Sequence, residues 1–133
     1  MLKEEVAMFR QRTLQVVLVL IGVFFSAAIL PVVGGLRDPA HSDTGDTMMM
    51  GLYCTLGIFL LIAARNPSAH RSLIAFAAWS SFAHAIVMST QGFEIASQRS
   101  GFLGGSAVLV VIGLTLIVLT PRKQPEQQAV APA

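Results

Sequence analysis

Apolar residues fall into four long blocks separated by short polar stretches. Thr13 to Val33 carries no charge, and Gln15 and Ser26 are its only clearly polar members beyond the opening threonine. As a helix rising about 1.5 Å per residue it crosses about 30 Å of hydrocarbon. Pro31 is placed to end or kink this span, and Gly34-Gly35 to loosen its exit. A cleaved signal sequence, with Ser26 and Ala28 as small cleavage-site residues, is the competing interpretation. The apolar stretch exceeds the roughly 7–15 residues of a signal core, which favours a span. A polar segment, Gly34 to Asp46, leads into the second block, Thr47 to Ala64. Asp43 or Asp46 suits the N-terminus of that helix, where a carboxylate meets unpaired N–H groups and the helix dipole.

Arg65-Asn66-Pro67 marks the next break. Asn66 is the expected N-cap and Pro67 the first helical position, so spans two and three are expected to be antiparallel neighbours. The third apolar block runs from Ser72 to about Gln91, with its helix starting at or after Pro67. Gly92 to Ser100 is a short polar connection. Gly101 to Thr120 is again uncharged, ended by Pro121 and the pair Arg122-Lys123. The expected organisation is an amphipathic segment over residues 1–12, spans at about 13–33, 47–64, 70–91 and 101–120, and a Gln/Pro/Ala-rich tail over 121–133 with the composition of a disordered segment. The fold class is an all-α membrane protein, four transmembrane helices in an antiparallel bundle.

Composition agrees with this pattern. The 133 residues are 54% hydrophobic and 12% charged, against roughly 25% charged in soluble domains, so too few charges exist to cover a water-exposed surface. The nine Lys and Arg form no basic stripe, which argues against nucleic acid as a partner. One cysteine, Cys54, excludes an internal disulfide. Lys3, Arg10, Arg12, Arg65, Arg71, Arg122 and Lys123 lie on one side of a four-span topology, and only Arg37 and Arg99 on the other. Seven against two places both termini in the cytoplasm. The segment Lys3 to Arg12 is then an orienting collar at the headgroups.

Close helix packing inside lipid needs small residues and hydrogen bonds, because hydrophobicity supplies no drive there. Gly101, Gly105 and Gly113 recur at multiples of four, and Gly22 and Ser26 share that spacing. These are the candidate packing positions, and the Gly101 face is a candidate homodimer contact.

His84 is an ionisable side chain expected in the middle of a span, a position that normally faces protein or a water-filled cavity. On an ideal helix His70, Ser81, His84, Met88 and Gln91 share one sector and form a polar stripe. A neutral imidazole carries one donor and one acceptor nitrogen, for which Ser80, Ser81, Thr55 and Tyr53 are the expected partners. The fourteen-residue spacing of His70 and His84 resembles the paired histidines of b-type cytochromes. No other span holds a histidine, so haem would need a second copy of the chain. Met48, Met49 and Met50 with His41 and Cys54 are ligand types for copper(I), but consecutive methionines on a helix diverge by about 100° and do not converge on one ion. No metal site is expected. No nucleophile elbow, phosphate loop or catalytic constellation is present, so no catalytic residue is assigned.

The run Ala64-Arg65-Asn66-Pro67-Ser68-Ala69-His70-Arg71-Ser72-Leu73, with Ala78-Trp79-Ser80-Ser81 and His84-Ala85, resembles a small bacterial family of four-span membrane proteins classified only as a domain of unknown function. The resemblance implies the four-span architecture and groups Asn66, Pro67, His70, Arg71, Trp79, Ser80 and His84 into one unit, without implying an activity. In size and topology the chain also looks like the quinone-linked DoxX-like proteins. The expectation is a non-enzymatic membrane bundle that self-associates or serves as an accessory subunit of a membrane complex. No cofactor is required by it. The alternatives are a haem- or quinone-binding redox component using His84, and a small oligomeric channel or transporter.

Overall fold

A computed structural model describes residues 1–122, and all of its regular structure is helical. The helices are α1 (Leu2–Ser26), α2 (Ile29–Arg37), α3 (Thr44–Ala63), α4 (Arg71–Glu94) and α5 (Arg99–Leu119). With α1 and α2 taken together, four helical segments are long and apolar enough to cross a membrane. Phe24, Leu52, Trp79, Ile86 and Val111 are among many large apolar side chains on their outer faces. Such a continuous surface suits hydrocarbon rather than water.

Pro31 acts upstream of its own position. It has no N–H to give the carbonyl of Ala27, and its ring crowds that oxygen. The helix accordingly breaks at Ala27 and Ala28, and the Ala27 carbonyl accepts from Leu30 N instead, at 3.0 Å. The Ser26 carbonyl left at the break accepts from the Cys54 thiol, 3.7 Å away. Beyond the break α2 carries Gly34 and Gly35 in helical form as far as Arg37, so the expected loose exit at these glycines is corrected. A single glycine pair costs too little to stop a helix that Pro31 has already restarted. The connection to α3 shrinks to residues 38–43. Within it His41 Nδ1 lies 2.9 Å from the Asp38 carboxylate, and the Asp43 side chain caps α3 by accepting from Asp46 N at 3.0 Å.

Between α3 and α4, Pro67 opens a four-residue 3₁₀ turn, Pro67–His70. Asn66 precedes it, but its side chain makes no cap hydrogen bond, which corrects the expected capping role. The tight turn uses its own backbone, Ala69 N donating to the Asn66 carbonyl at 3.1 Å, and the amide has no first-turn donor left to serve.

Packing divides the bundle into two antiparallel hairpins. The α1–α2 arm lies along α3, and α4 lies along α5, whereas α3 and α4 touch only sparsely despite the short turn that joins them. The expected neighbourhood of spans two and three is therefore corrected to a splayed pair. Small residues decide which helices meet. A Cβ on Gly22 would fall 2.8 Å from the Leu61 side chain and 3.0 Å from the Gly57 carbonyl, so α1 and α3 approach backbone to backbone. A Cβ on Gly113 would fall 2.8 Å from Phe82 and 3.1 Å from the Ala78 carbonyl, so α5 is seated on α4. Bulky Leu56, Phe59, Leu73 and Phe76 instead line the gap between α3 and α4.

The hairpins join at one end. Leu14, Leu18, Leu60, Ile74, Ala77, Ala78 and Leu116 are completely buried there. At the same end Arg10 Nη2 donates to the carbonyls of Val118 at 2.7 Å and Thr120 at 2.9 Å, closing the C-terminus of α5. Arg99 does the same for α4 at the opposite end, its Nε donating to Gly92 O at 3.2 Å. Within the α4–α5 hairpin, Ser106 donates to the Ala85 carbonyl at 2.6 Å. Its one proton is thereby used, so Ser89 donates to Ser106 Oγ, 2.8 Å away. Of the expected tail, residues 123–133 lie outside the described residues.

Candidate functional site: the cleft at Tyr53 and His84

The predicted polar stripe holds only in part: His84 and Met88 line one cavity, whereas Ser81, Gln91 and His70 do not join them there. Ser81 is fully buried in the core, its hydroxyl spent on the Ala77 carbonyl at 2.7 Å. His84 is half-buried, Met88 covers Gly105 and Gln91 is exposed. His70 belongs to the 3₁₀ turn and precedes α4 with φ −116 and ψ 31. The steady advance of about 100° per residue that would align it with His84 therefore does not reach back to it.

His84 instead faces the space between the two hairpins. Its ring meets that of Tyr53 from α3 edge to face, with centroids 5.3 Å apart and planes at 67°. Tyr53 in turn meets Phe25 of α1 at 4.9 Å and 71°. Three helices thus contribute to one aromatic row, which crosses from one hairpin to the other. Three of the four expected hydroxyl partners of His84 are engaged locally: Ser80 and Ser81 donate to the Ala77 carbonyl, and Thr55 to the Gly51 carbonyl. Such bonds to the preceding turn are the default for Ser and Thr inside apolar helices. Neither the His84 ring nitrogens nor the Tyr53 hydroxyl is hydrogen-bonded to a described residue.

Two cavities share this pair as a common wall. The larger, about 610 Å³, lies between α3 and α4, with Leu56, Phe59, Leu73 and Phe76 along its length. The second, about 430 Å³, lies on the other side of the pair, bounded by Phe25, Pro31, Met50, Met88 and Leu109. Both are within the size range of small-molecule sites. Their linings include no Asp, Glu, Lys or Arg. A mostly apolar channel with two convergent hydrogen-bonding groups can hold a neutral, largely apolar molecule and fix one polar end of it.

The other candidates fall in different places. Met49 lines the larger cavity, Met50 the smaller, and Met48 is exposed, so the three methionines diverge as their helical spacing requires. Gly22 and Gly113 are at helix contacts, as is Ser26, whose backbone N would be struck by a Cβ on Gly57. Gly105 lies under the Met88 side chain. Gly101 is the exception, because a Cβ there would meet nothing within 4 Å. Its intrachain packing role is corrected: it lies in the first turn of α5 on an open face, although the next residues, Phe102 and Leu103, do reach Gly92 of α4. Gly57, Ser106 and the capping of α5 by Arg10 are features the sequence pattern does not reveal. A glycine in the middle of span two is the one hint of the first.

No curated protein and no solved structure matches this chain. A family described only as one of unknown function, DUF6632, matches residues 8–129. That match takes in every described helix from the first turns of α1 onward, the Pro67 turn and both walls of the cleft, and the chain belongs to this family.

Proposed function

We propose that this chain is a multi-pass protein of a bacterial inner membrane, with both termini in the cytoplasm, that acts by binding an apolar ligand between its hairpins rather than by catalysis. Seven Lys and Arg on the side of the termini against two on the other support the orientation. The observation that carries the binding role is the pair Tyr53 and His84, left without a hydrogen bond to any described residue on the wall of an apolar cleft. Polar groups facing hydrocarbon cost several kcal/mol each when unpaired, by an order-of-magnitude rule. A ligand that pairs with them removes that cost. In an accessory subunit of a membrane complex, such a site holds a small molecule near its partner.

The test is gentle extraction from native membranes followed by mass spectrometry of the intact protein and its adducts. The parent is expected to carry a discrete small apolar molecule, and His84→Leu, which keeps the cleft apolar, to lose at least about 90% of it, as the loss of one or two buried hydrogen bonds requires. Equal occupancy in parent and variant, or none in either, would contradict the proposal.

A further inference from the structure

The depth of the polar pair narrows the class of ligand, an inference that rests on the binding role just proposed. His84 lies thirteen residues beyond Arg71 and ten before Glu94, about 20 Å and about 15 Å along the axis of α4. In a hydrocarbon layer of about 30 Å this is close to mid-depth. Phospholipid headgroups and their ester carbonyls stay near the interfaces, and acyl chains have no polar atoms to offer. A ligand that satisfies Tyr53 and His84 must carry neutral oxygen atoms into the centre of the bilayer on an otherwise apolar body.

We propose that the cleft takes a prenyl quinone. A quinone ring has two carbonyl oxygens and no donor, which complements the two donors available here, the Tyr53 hydroxyl and one N–H of a neutral His84. The absence of charged residues in the lining matches an uncharged head. The edge-to-face row of Phe25, Tyr53 and His84 offers aromatic surface to a planar ring. An isoprenoid tail then runs along the groove past Leu56, Phe59, Leu73 and Phe76, which opens to the lipid-facing side of α3 and α4.

The experiment is a thermal-unfolding titration of the full chain in lipid nanodiscs. The probes are a ubiquinone with two isoprene units and, as an apolar control without oxygen, squalene. The quinone is expected to raise Tm saturably by about 5 °C, and squalene to leave it unchanged. Tyr53→Phe removes only the hydroxyl and leaves the aromatic row, so it should fold as the parent does and bind the quinone about tenfold more weakly. An equal rise with both probes would overturn the quinone assignment while leaving apolar binding in the cleft intact. So would a quinone response untouched in Tyr53→Phe and in His84→Leu. No rise with either probe, alongside a co-extracted molecule of another class, would overturn the assignment alone. No rise and no co-extracted molecule would overturn both proposals.

Discussion

Replacing Gly57 by leucine is expected to drive α1 away from α3 and to destabilise the bundle by about 3 kcal/mol, the upper part of the usual range for overpacking. A Cβ at this position would collide with the backbone nitrogen of Ser26 and fall 2.7 Å from the Gly22 carbonyl. Both are main-chain atoms of a helix, and neither can swing aside as a side chain would. The same contact region includes the Cys54 thiol, which donates to the carbonyl freed at the Pro31 break, so separation there also exposes an unpaired oxygen. Equilibrium unfolding in mixed micelles reads the loss directly. Gly51→Ala is the control: nothing lies within 4 Å of its added Cβ, and helix propensity alone should raise stability by up to about 1 kcal/mol. A Gly57→Leu chain that unfolds with its parent would show that α1 and α3 do not cross where the glycines lie.

Arg10→Ala is expected to cost about 2 kcal/mol, because one guanidinium nitrogen serves two terminal carbonyls of α5 and places a positive charge at the negative end of its dipole. The effect extends beyond one helix end. Arg10 lies on α1 and its acceptors lie at the end of α5, so the bond ties the two hairpins together where the packed core is also found. Arg10→Lys retains the charge without the planar fork and should recover about half of the loss. Arg12, two residues on and exposed, is the matched control, and Arg12→Ala should leave unfolding unchanged. Equal effects at both positions would reduce Arg10 to a general surface charge.

Much of this architecture is legible in the residues. The last uncharged block, 101–120, nearly coincides with α5, and the first lies inside the longer helical segment from Leu2 to Arg37; the Asp43 and Asp46 pair announces a cap, and Pro67 and Pro31 announce breaks. Pro31 shows where such reading falls short, since a proline disturbs the carbonyl four residues earlier and the break appears at Ala27 rather than beside it. His70 was assigned to the face of His84 on the assumption of unbroken α-helical rotation. The 3₁₀ turn after Pro67 removes that assumption. Pairing of helices was the least visible property, because every span is apolar on most sides and carries several small residues. Only which glycine meets which backbone decides the partners, and Gly57 against Gly22 is a contact between positions thirty-five residues apart in the chain. His84 stands out by its chemistry alone and Tyr53 is one of its expected hydroxyl partners, but that the two meet ring to ring rather than through a hydrogen bond appears only once the hairpins bring them together.

Two hairpins are tightly paired within themselves and held apart at the cleft. Disulfide trapping in native membranes tests this most directly, using chains in which Cys54→Ser removes the natural thiol. Ser89→Cys with Ser106→Cys places two thiols where the hydroxyls are 2.8 Å apart, and this pair across α4 and α5 should oxidise readily. Leu52→Cys with Val87→Cys places thiols on the opposing walls of the cleft; a cleft that stays open keeps them from the short Cβ separation a disulfide demands, so this pair should remain reduced under the same conditions. Rapid oxidation of the Leu52 and Val87 pair, at the rate of the pair within the hairpin, would mean that α3 and α4 close on each other and leave no cleft.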